Sequence, residues 1–272
     1  ENASWQRCLE MGYIPALPAS GLIGWHFLKR TEQTQTTTFQ ETAQIKRSVA
    51  NALDKLPNIQ SAKDLVSDRQ TLNTVLTAYG LQDDIDSQFL VQKILESDLT
   101  DRTSLANRMS DKRYKTMAED LQNMSAGLTA ETVNTVVNRF KALSFELAIG
   151  EQDETLRLAM NTEREIQDIA AQDTSENTKW YTILGNPPLK QVFQTVFRLP
   201  ASIGKLDLDR QLDEFKSRSE SMFGSSDLAI FNDSEKVDDL VQKFLIQTQL
   251  NDTQSIASSH SIALSLLQTA SF

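Results

Sequence analysis

Turn-forming residues are scarce in this chain, which has 9 glycines and 6 prolines among 272 residues. Sheet proteins join their strands through many tight turns, and those turns use Gly, Pro and Asn-Gly pairs. A chain with so few of these residues therefore favours long helices. No segment sustains the alternation of apolar and polar residues that marks a half-buried strand. The sequence predicts an all-α protein, built as an irregular multi-helix bundle.

Apolar residues recur at helical spacing in several segments. Residues 72–79 carry apolar side chains at i, i+3, i+4 and i+7, between Asp68 as a plausible N-cap and Gly80 as a C-cap glycine. A further helix is expected from about Ser255. The clearest amphipathic face begins after Ser234 and comprises Val237, Leu240, Val241, Phe244 and Leu245.

The domain organisation follows from these helical segments. Residues 1–20 are predicted to form an irregular arm, and residues 21–268 a single helical domain. Within that domain, residues 61–125 and 180–250 share a faint order of caps and helices. A long helical region over residues 129–171 is expected to join these two weakly similar units.

The segment LPASG at residues 17–21, followed by LIGWHFLKR, has the layout of a wall-sorting signal. Such a signal belongs at a C-terminus, and its apolar run is far shorter than the roughly 20 residues that a membrane-spanning helix needs. A secretory signal carries its basic residues before the apolar core, whereas here they follow it. We therefore expect a folded element at this position, with no membrane span and no Sec-type signal.

Composition narrows the range of partners. The chain is 39% hydrophobic, has a mean hydropathy of -0.38 and carries a net charge of -10. An acidic chain without a cluster of basic residues repels the phosphate backbone, so no nucleic-acid partner is expected. Cys8 is the single cysteine and therefore forms no internal disulfide.

Residues with catalytic or metal-binding chemistry occur, but not in the required patterns. Asp83, Asp84 and Asp86 are three carboxylates in four residues, yet the glycine of an EF-hand loop is missing. They are better interpreted as acids that favour the positive end of a helix dipole. His26 and His260 lack a neighbouring nucleophile motif such as G-x-S-x-G. We predict no enzyme activity, no metal and no cofactor.

The acidic segment at Gly150–Asp153 has two interpretations. Glu151 and Asp153 are a pair of acids of the kind used in acid–base chemistry. More simply, Gly150 interrupts a helix and Asp153 starts the next one, which is the interpretation that we favour.

Apolar residues near both ends of the chain are candidates for partner contact. Apolar stripes more often form core, so both interpretations stay open. The candidate contact residues are Trp25, Phe27, Leu28, Ile262, Leu266 and Leu267.

Several segments together resemble an alphaproteobacterial family called domain of unknown function 1217, whose members are typically encoded among flagellar genes. The similarity runs from about residue 13 to residue 268. The segments that carry it are PASGLIGWHFLKRT at 18–31, AYGLQDDI at 78–85, KILESD at 93–98, LANRMSDKRY at 105–114, FELAIGEQD at 145–153, WYTILGNPPL at 180–189 and ALSLL at 263–267.

The resemblance implies a non-enzymatic protein of the bacterial flagellum, acting in its structure or assembly, with flagellar proteins as partners. It also implies that Met11 is the natural start, which would make residues 1–10 non-native. Two positions depart from the family pattern: His26 stands where a basic residue is expected, and Arg198 follows Phe197 where glycine is expected.

Two cellular roles are compatible with this family. The first is a component that is exported to the flagellum and uses its terminal segments as contact surfaces. The alternative is a cytoplasmic chaperone or regulator, because an acidic helical protein is suited to binding partner helices. These roles differ in location, either the cytoplasm or the flagellum outside the cell.

Overall fold

A computed structural model describes the backbone of residues 13–269 and the side chains of residues 13–253. That described part contains helices and no strand, which confirms the all-α prediction. The α-helices are α1 (Gly21–Gln40), α2 (Ala43–Lys55), α3 (Ala62–Ser67), α4 (Arg69–Ala78), α5 (Gln88–Leu95), α6 (Leu105–Arg108), α7 (Arg113–Asp120), α8 (Ala130–Gly150), α9 (Glu154–Ala170), α10 (Glu176–Leu184), α11 (Pro187–Val196), α12 (Leu208–Phe223) and α13 (Ser234–Thr269). Short 3-10 helices lie at Leu56–Asn58, Gln82–Asp84, Met124–Ala126, Ala201–Lys205 and Leu228–Asn232.

The chain divides into two compact units, where the sequence had predicted a single helical domain over residues 21–268. Among described residues, unit 1 comprises 13–17 and 27–152, and unit 2 comprises 18–26 and 153–269. The weak repeat predicted between residues 61–125 and 180–250 stays a prediction.

The division between the units falls inside the long helical region that was predicted over residues 129–171. Helix α8 ends at Gly150, and Asp153 caps the start of α9 by accepting the Leu156 N–H at 3.1 Å. A short capping side chain stabilises the free N–H groups of a new first turn. The interpretation of Asp153 as a helix start is therefore confirmed.

The core of unit 1 forms where α4 packs against α8. The predicted face of α4 is buried, because the side chains of Leu72, Val75 and Leu76 are all fully enclosed and Tyr79 is nearly so. Asp68 accepts the N–H groups of the next turn, as expected of an N-cap. Buried residues of α8 belong to the same apolar cluster, namely Val133, Val136, Val137 and Phe140.

The arm before α1 has no regular structure over residues 13–20, as predicted, while residues 1–12 lie outside the described part. The side chain of Gln35 in α1 binds the backbone of this arm through two hydrogen bonds, as the backbone of a neighbouring strand would. Its Oε1 accepts the Ala16 N–H at 2.6 Å, and its Nε2 donates to the Ala16 carbonyl at 3.2 Å. Gln152 Nε2 adds a bond to the Pro15 carbonyl at 2.8 Å.

A buried tyrosine makes the stability of unit 1 depend on pH. The Tyr79 hydroxyl donates to Asp120 at 2.9 Å. Burial, and then the charge of Asp120, raise the pKa of Tyr79 well above its ordinary value. In the unfolded chain a tyrosine ionises near pH 10, whereas folded Tyr79 keeps its proton. The stability that Tyr79 contributes is therefore complete below pH 10 and is lost as the pH rises above it.

We expect the free energy of unfolding of unit 1 to fall by about 1.4 kcal/mol per pH unit above pH 10 through Tyr79. Denaturant unfolding between pH 8 and pH 11 measures this slope, and Tyr79→Phe should reduce it. Tyr114, whose pKa is raised by burial and by its bond to Asp84, contributes in the same direction. The control Tyr181→Phe, at a half-buried position in unit 2, should keep most of the wild-type slope of unit 1. An unchanged slope in Tyr79→Phe would contradict the account.

Unit 2 is built around aromatic rings. Trp180 packs edge-on against Phe193 at 5.6 Å between ring centroids, and Phe193 packs against Phe231 at 5.9 Å. Phe197 and Phe215 continue the cluster at 5.7 Å from each other. Trp180 also donates its Nε1–H to a backbone carbonyl at 2.9 Å, which satisfies its one polar atom. Edge-to-face contacts add to the free energy of burial, so this cluster contributes strongly to the stability of unit 2.

Helix α13 is longer than the sequence predicts. The buried face Val237–Leu245 is confirmed, but the separate helix expected from about Ser255 is wrong, because one helix runs over 36 residues from Ser234 to Thr269. The segment between the two predicted helices is polar, yet it contains neither Gly nor Pro to stop a helix. A helix of this length spans about 54 Å. Among the described residues, no helix is both long enough and apolar enough to cross a membrane.

Candidate functional site

The residues predicted for partner contact near the start of α1 lie mainly in the core. Trp25 is 4% exposed and Leu28 is fully buried, while Phe27 is half-buried. Positions 25 and 28 are one turn apart and point to the buried side of α1. The exposed side carries Ile23 and His26 instead. Trp25 and Leu28 are therefore corrected from candidate contact residues to core residues.

The C-terminal candidates lie in the last turns of α13. Ile262, Leu266 and Leu267 fall outside the residues whose side chains are described, so their contact role stays a prediction. Sequence reasoning missed two exposed apolar residues earlier in the same helix, Ile246 and Leu250. Their spacing of four residues, directly after the buried residue Leu245, is the signal that identifies them.

Two of the three clustered aspartates are engaged in contacts within unit 1. Asp84 accepts the Tyr114 hydroxyl at 2.5 Å, and Asp86 pairs with Arg69 at 2.8 Å. Within the described residues, no group of three or more His, Cys, Asp or Glu side chains is arranged to hold a metal ion. His26 and Glu151 are exposed, and His260 lies beyond the described side chains.

A polar cleft of about 600 Å³ lies in unit 2, beside the middle of α13. One wall is the C-terminal half of α11 with the turn that follows it, and the other wall is the segment Gln247–Asn251 of α13. Side-chain amides make up four of the nine described lining residues, and Arg198 is the one charged side chain among those nine. The amides belong to Gln191, Gln194, Gln247 and Asn251.

Arg198 has a backbone conformation that normally belongs to glycine. Its φ is 54°, and no other non-glycine residue in the described chain has a positive φ. The end of α4 shows the same geometry with a glycine, Gly80, at φ 68°. In both places the next residue donates its N–H to the carbonyl five residues earlier, Leu81 at 2.8 Å and Leu199 at 2.9 Å. This is the Schellman arrangement that glycine usually completes.

A side chain in the left-handed region costs about 1–2 kcal/mol. Arg198→Gly removes this strain and also an exposed hydrogen bond worth about 0.5 kcal/mol, so we expect the variant to be more stable by about 0.5–1 kcal/mol. Gly80→Ala imposes the reverse change and should lower stability by about 1 kcal/mol. Chemical denaturation of both variants measures these values. A clear loss of stability in Arg198→Gly would show that the side chain stabilises the fold.

Hydrogen bonds orient the Arg198 side chain across the cleft. Its Nε donates to Gln247 Oε1 at 2.7 Å, and Gln247 Nε2 donates in turn to Asn251 Oδ1 at 2.9 Å. Gln194 Nε2 donates to the Pro200 carbonyl at 3.2 Å and secures the opposite wall. The guanidinium is planar, so fixing Nε also fixes the direction of its two terminal nitrogens.

The family model "Protein of unknown function (DUF1217)" matches residues 78–237, which is more than half of the chain. The protein belongs to the DUF1217 family. The matched region includes Arg198 and most of the cleft wall formed by α11, whereas the wall formed by α13 lies beyond it. A search of the curated proteins finds no match.

A solved structure resembles this fold. The X-ray crystal structure of protein AGR_C_984 from Agrobacterium tumefaciens superposes with a TM-score of 0.69 at 22% sequence identity. The match covers 88% of this chain and 99% of that one. At this identity the likeness shows a shared fold.

Proposed function

We propose that this DUF1217 protein is a non-enzymatic component of the bacterial flagellum, which acts in its structure or assembly by binding a protein partner through the part of α13 that follows Leu245. The flagellar part of the proposal rests on the family resemblance given by the sequence. The binding part rests on the course of α13, which is the observation that carries the proposal.

The environment of the described side chains of α13 changes after Leu245. From Val237 to Leu245 its apolar residues are buried in unit 2. Directly after Leu245, Ile246 and Leu250 expose nearly half of their surface, and the helical backbone continues to Thr269. Amphipathic helices of this kind bind partners through apolar residues at i, i+4 and i+7 spacing.

The sequence of the last turns supplies further apolar residues for partner contact. Ile262, Leu266 and Leu267 follow the polar segment that comes after Leu250. The correction of Trp25 and Leu28 to core residues leaves the C-terminal segment as the favoured contact surface.

The test is the location of an affinity-tagged copy in flagellated cells, compared with cells that lack the flagellar export apparatus. We expect the protein in the external fraction of normal cells and its loss from that fraction when export is absent. Retention in the cytoplasm of both strains would contradict export and would favour the chaperone or regulator.

A second measurement links the role to α13. The substitution Ile246→Glu should abolish incorporation into the flagellar fraction, because a charge replaces an exposed apolar side chain that does not line the cleft. Leu208→Glu is the matched control, since Leu208 is 51% exposed on α12 of the same unit. Equal incorporation of the Ile246→Glu variant and the control would contradict a contact at α13.

A further inference from the structure

We infer that the polar cleft beside Arg198 binds an acidic peptide segment, whose carboxylate pairs with the Arg198 guanidinium. This inference goes beyond the flagellar role and does not depend on it, because the cleft is a property of the isolated chain.

The position of Arg198 is the first reason. The fold requires a left-handed residue after α11, and the same chain uses glycine for the equivalent turn after α4. An arginine at this point strains the backbone. Its side chain bonds to Gln247, which lies 49 residues away in the sequence. Strained residues of this kind cluster at ligand-binding sites, where the side chain is needed despite the strain.

The donors that line the cleft are the second reason. Within the described residues, the two terminal nitrogens of Arg198 have no protein acceptor, and neither do the amide nitrogens of Gln191 and Asn251. A ligand that matches them must present several acceptor oxygens. None of the described side chains that line the cleft is acidic, although the chain as a whole carries a net charge of -10.

The choice of a carboxylate over a phosphate is the third step. A planar guanidinium binds a carboxylate or a phosphate with two parallel hydrogen bonds. Phosphate sites usually add helix N-termini or further cations. This cleft instead lies at the C-terminal end of α11, where the helix dipole is negative, and it offers one cation. A singly charged carboxylate fits this balance better than a doubly charged phosphate.

The amides identify the rest of the ligand. Asn and Gln side chains carry one acceptor and one donor group each, as a peptide bond does, so they pair with the main chain of an extended peptide. Leu199, Pro200 and Leu250 provide apolar lining between the amides. A peptide with an Asp or Glu side chain therefore matches the cation, the amides and the apolar surface together.

The test is an NMR titration of the full chain, labelled with ¹⁵N, with the blocked peptide ADLDA and the matched peptide ANLNA. We expect ADLDA to shift the side-chain signals of Arg198, Gln247 and Asn251 with a Kd of about 1 mM, which is typical for a short peptide held by one ion pair and a few hydrogen bonds. ANLNA should bind at least about 10-fold more weakly.

The variant Arg198→Gly separates binding from folding, because it should be more stable than the wild type and still bind ADLDA at least about 10-fold more weakly. Arg210→Gln is the matched control at an exposed arginine of unit 2 outside the cleft, and it should leave the Kd unchanged. Any one of four results would overturn the inference. ANLNA could bind as tightly as ADLDA, or Arg198→Gly could leave the binding of ADLDA unchanged. The other two are an absence of shifts at the cleft and tighter binding of inorganic phosphate than of ADLDA.

Discussion

Replacing Phe193 by alanine is expected to lower the free energy of unfolding of unit 2 by about 4 kcal/mol. Phe193 is fully buried and lies within 6 Å of three other aromatic rings, at centroid distances of 5.6 Å, 5.5 Å and 5.9 Å. The substitution removes the ring and leaves a cavity that its rigid neighbours cannot fill. Denaturant unfolding measures the total loss, and native-state hydrogen exchange of α10 and α11 locates it.

Phe89→Ala is the matched control for this experiment. Phe89 is 74% exposed, so the same substitution at this position should change stability by less than about 0.5 kcal/mol. A loss below about 1.5 kcal/mol for Phe193→Ala would contradict a strong contribution of the aromatic cluster to the stability of unit 2.

Replacing Gly24 by alanine is expected to lower stability by about 3 kcal/mol, and the melting temperature by about 10 °C. A Cβ on Gly24 would collide with the carbonyl oxygen of Ala19 and approach Leu156 Cδ1 to 3.3 Å. The clash involves backbone, which cannot move aside as a flexible side chain does. Thermal unfolding followed by circular dichroism measures the effect.

Gly204→Ala provides the control, because a Cβ at Gly204 meets no atom within 4 Å. This variant should melt within about 2 °C of the wild type. Equal melting temperatures for both alanine variants would show that the start of α1 relaxes without cost. The collision at Gly24 also explains why the segment that resembles a sorting signal contains glycine at this position. Without a Cβ, Gly24 allows the Ala19 carbonyl to lie against the start of α1.

The helices of this protein could be predicted well from local patterns. The i, i+3, i+4 and i+7 spacing of α4, the cap at Asp68 and the buried face Val237–Leu245 are all confirmed. Each depends on residues within a few turns of one another, so the sequence contains the necessary information. The missing boundary inside α13 is an error of the same local kind, because a polar segment without Gly or Pro does not end a helix.

Features that depend on distant segments could not be predicted in this way. The aromatic cluster joins residues from α10, α11, α12 and the 3-10 helix Leu228–Asn232. The division into two units is a property of the packed chain and has no signature in composition. The burial of Trp25 and Leu28 depends on which side of α1 faces the core, and a run of apolar residues such as LIGWHFL does not show this.

The cleft was only partly accessible to sequence reasoning. Arg198 was identified as a departure from the family pattern, since glycine was expected there. Its left-handed backbone and its bond to Gln247 appear only when the end of α11 is packed beside α13. The exposed residues Ile246 and Leu250 were missed because they follow the strongly amphipathic face and do not extend its spacing.

The most direct test of partner binding through α13 is photo-crosslinking in flagellated cells from a benzoylphenylalanine placed at Ile246, which is exposed and does not line the cleft. The same group at Leu208 serves as the control position. We predict a crosslinked product with a flagellar protein from position 246 and none from position 208. No product from position 246, or the same products from both positions, would contradict the account.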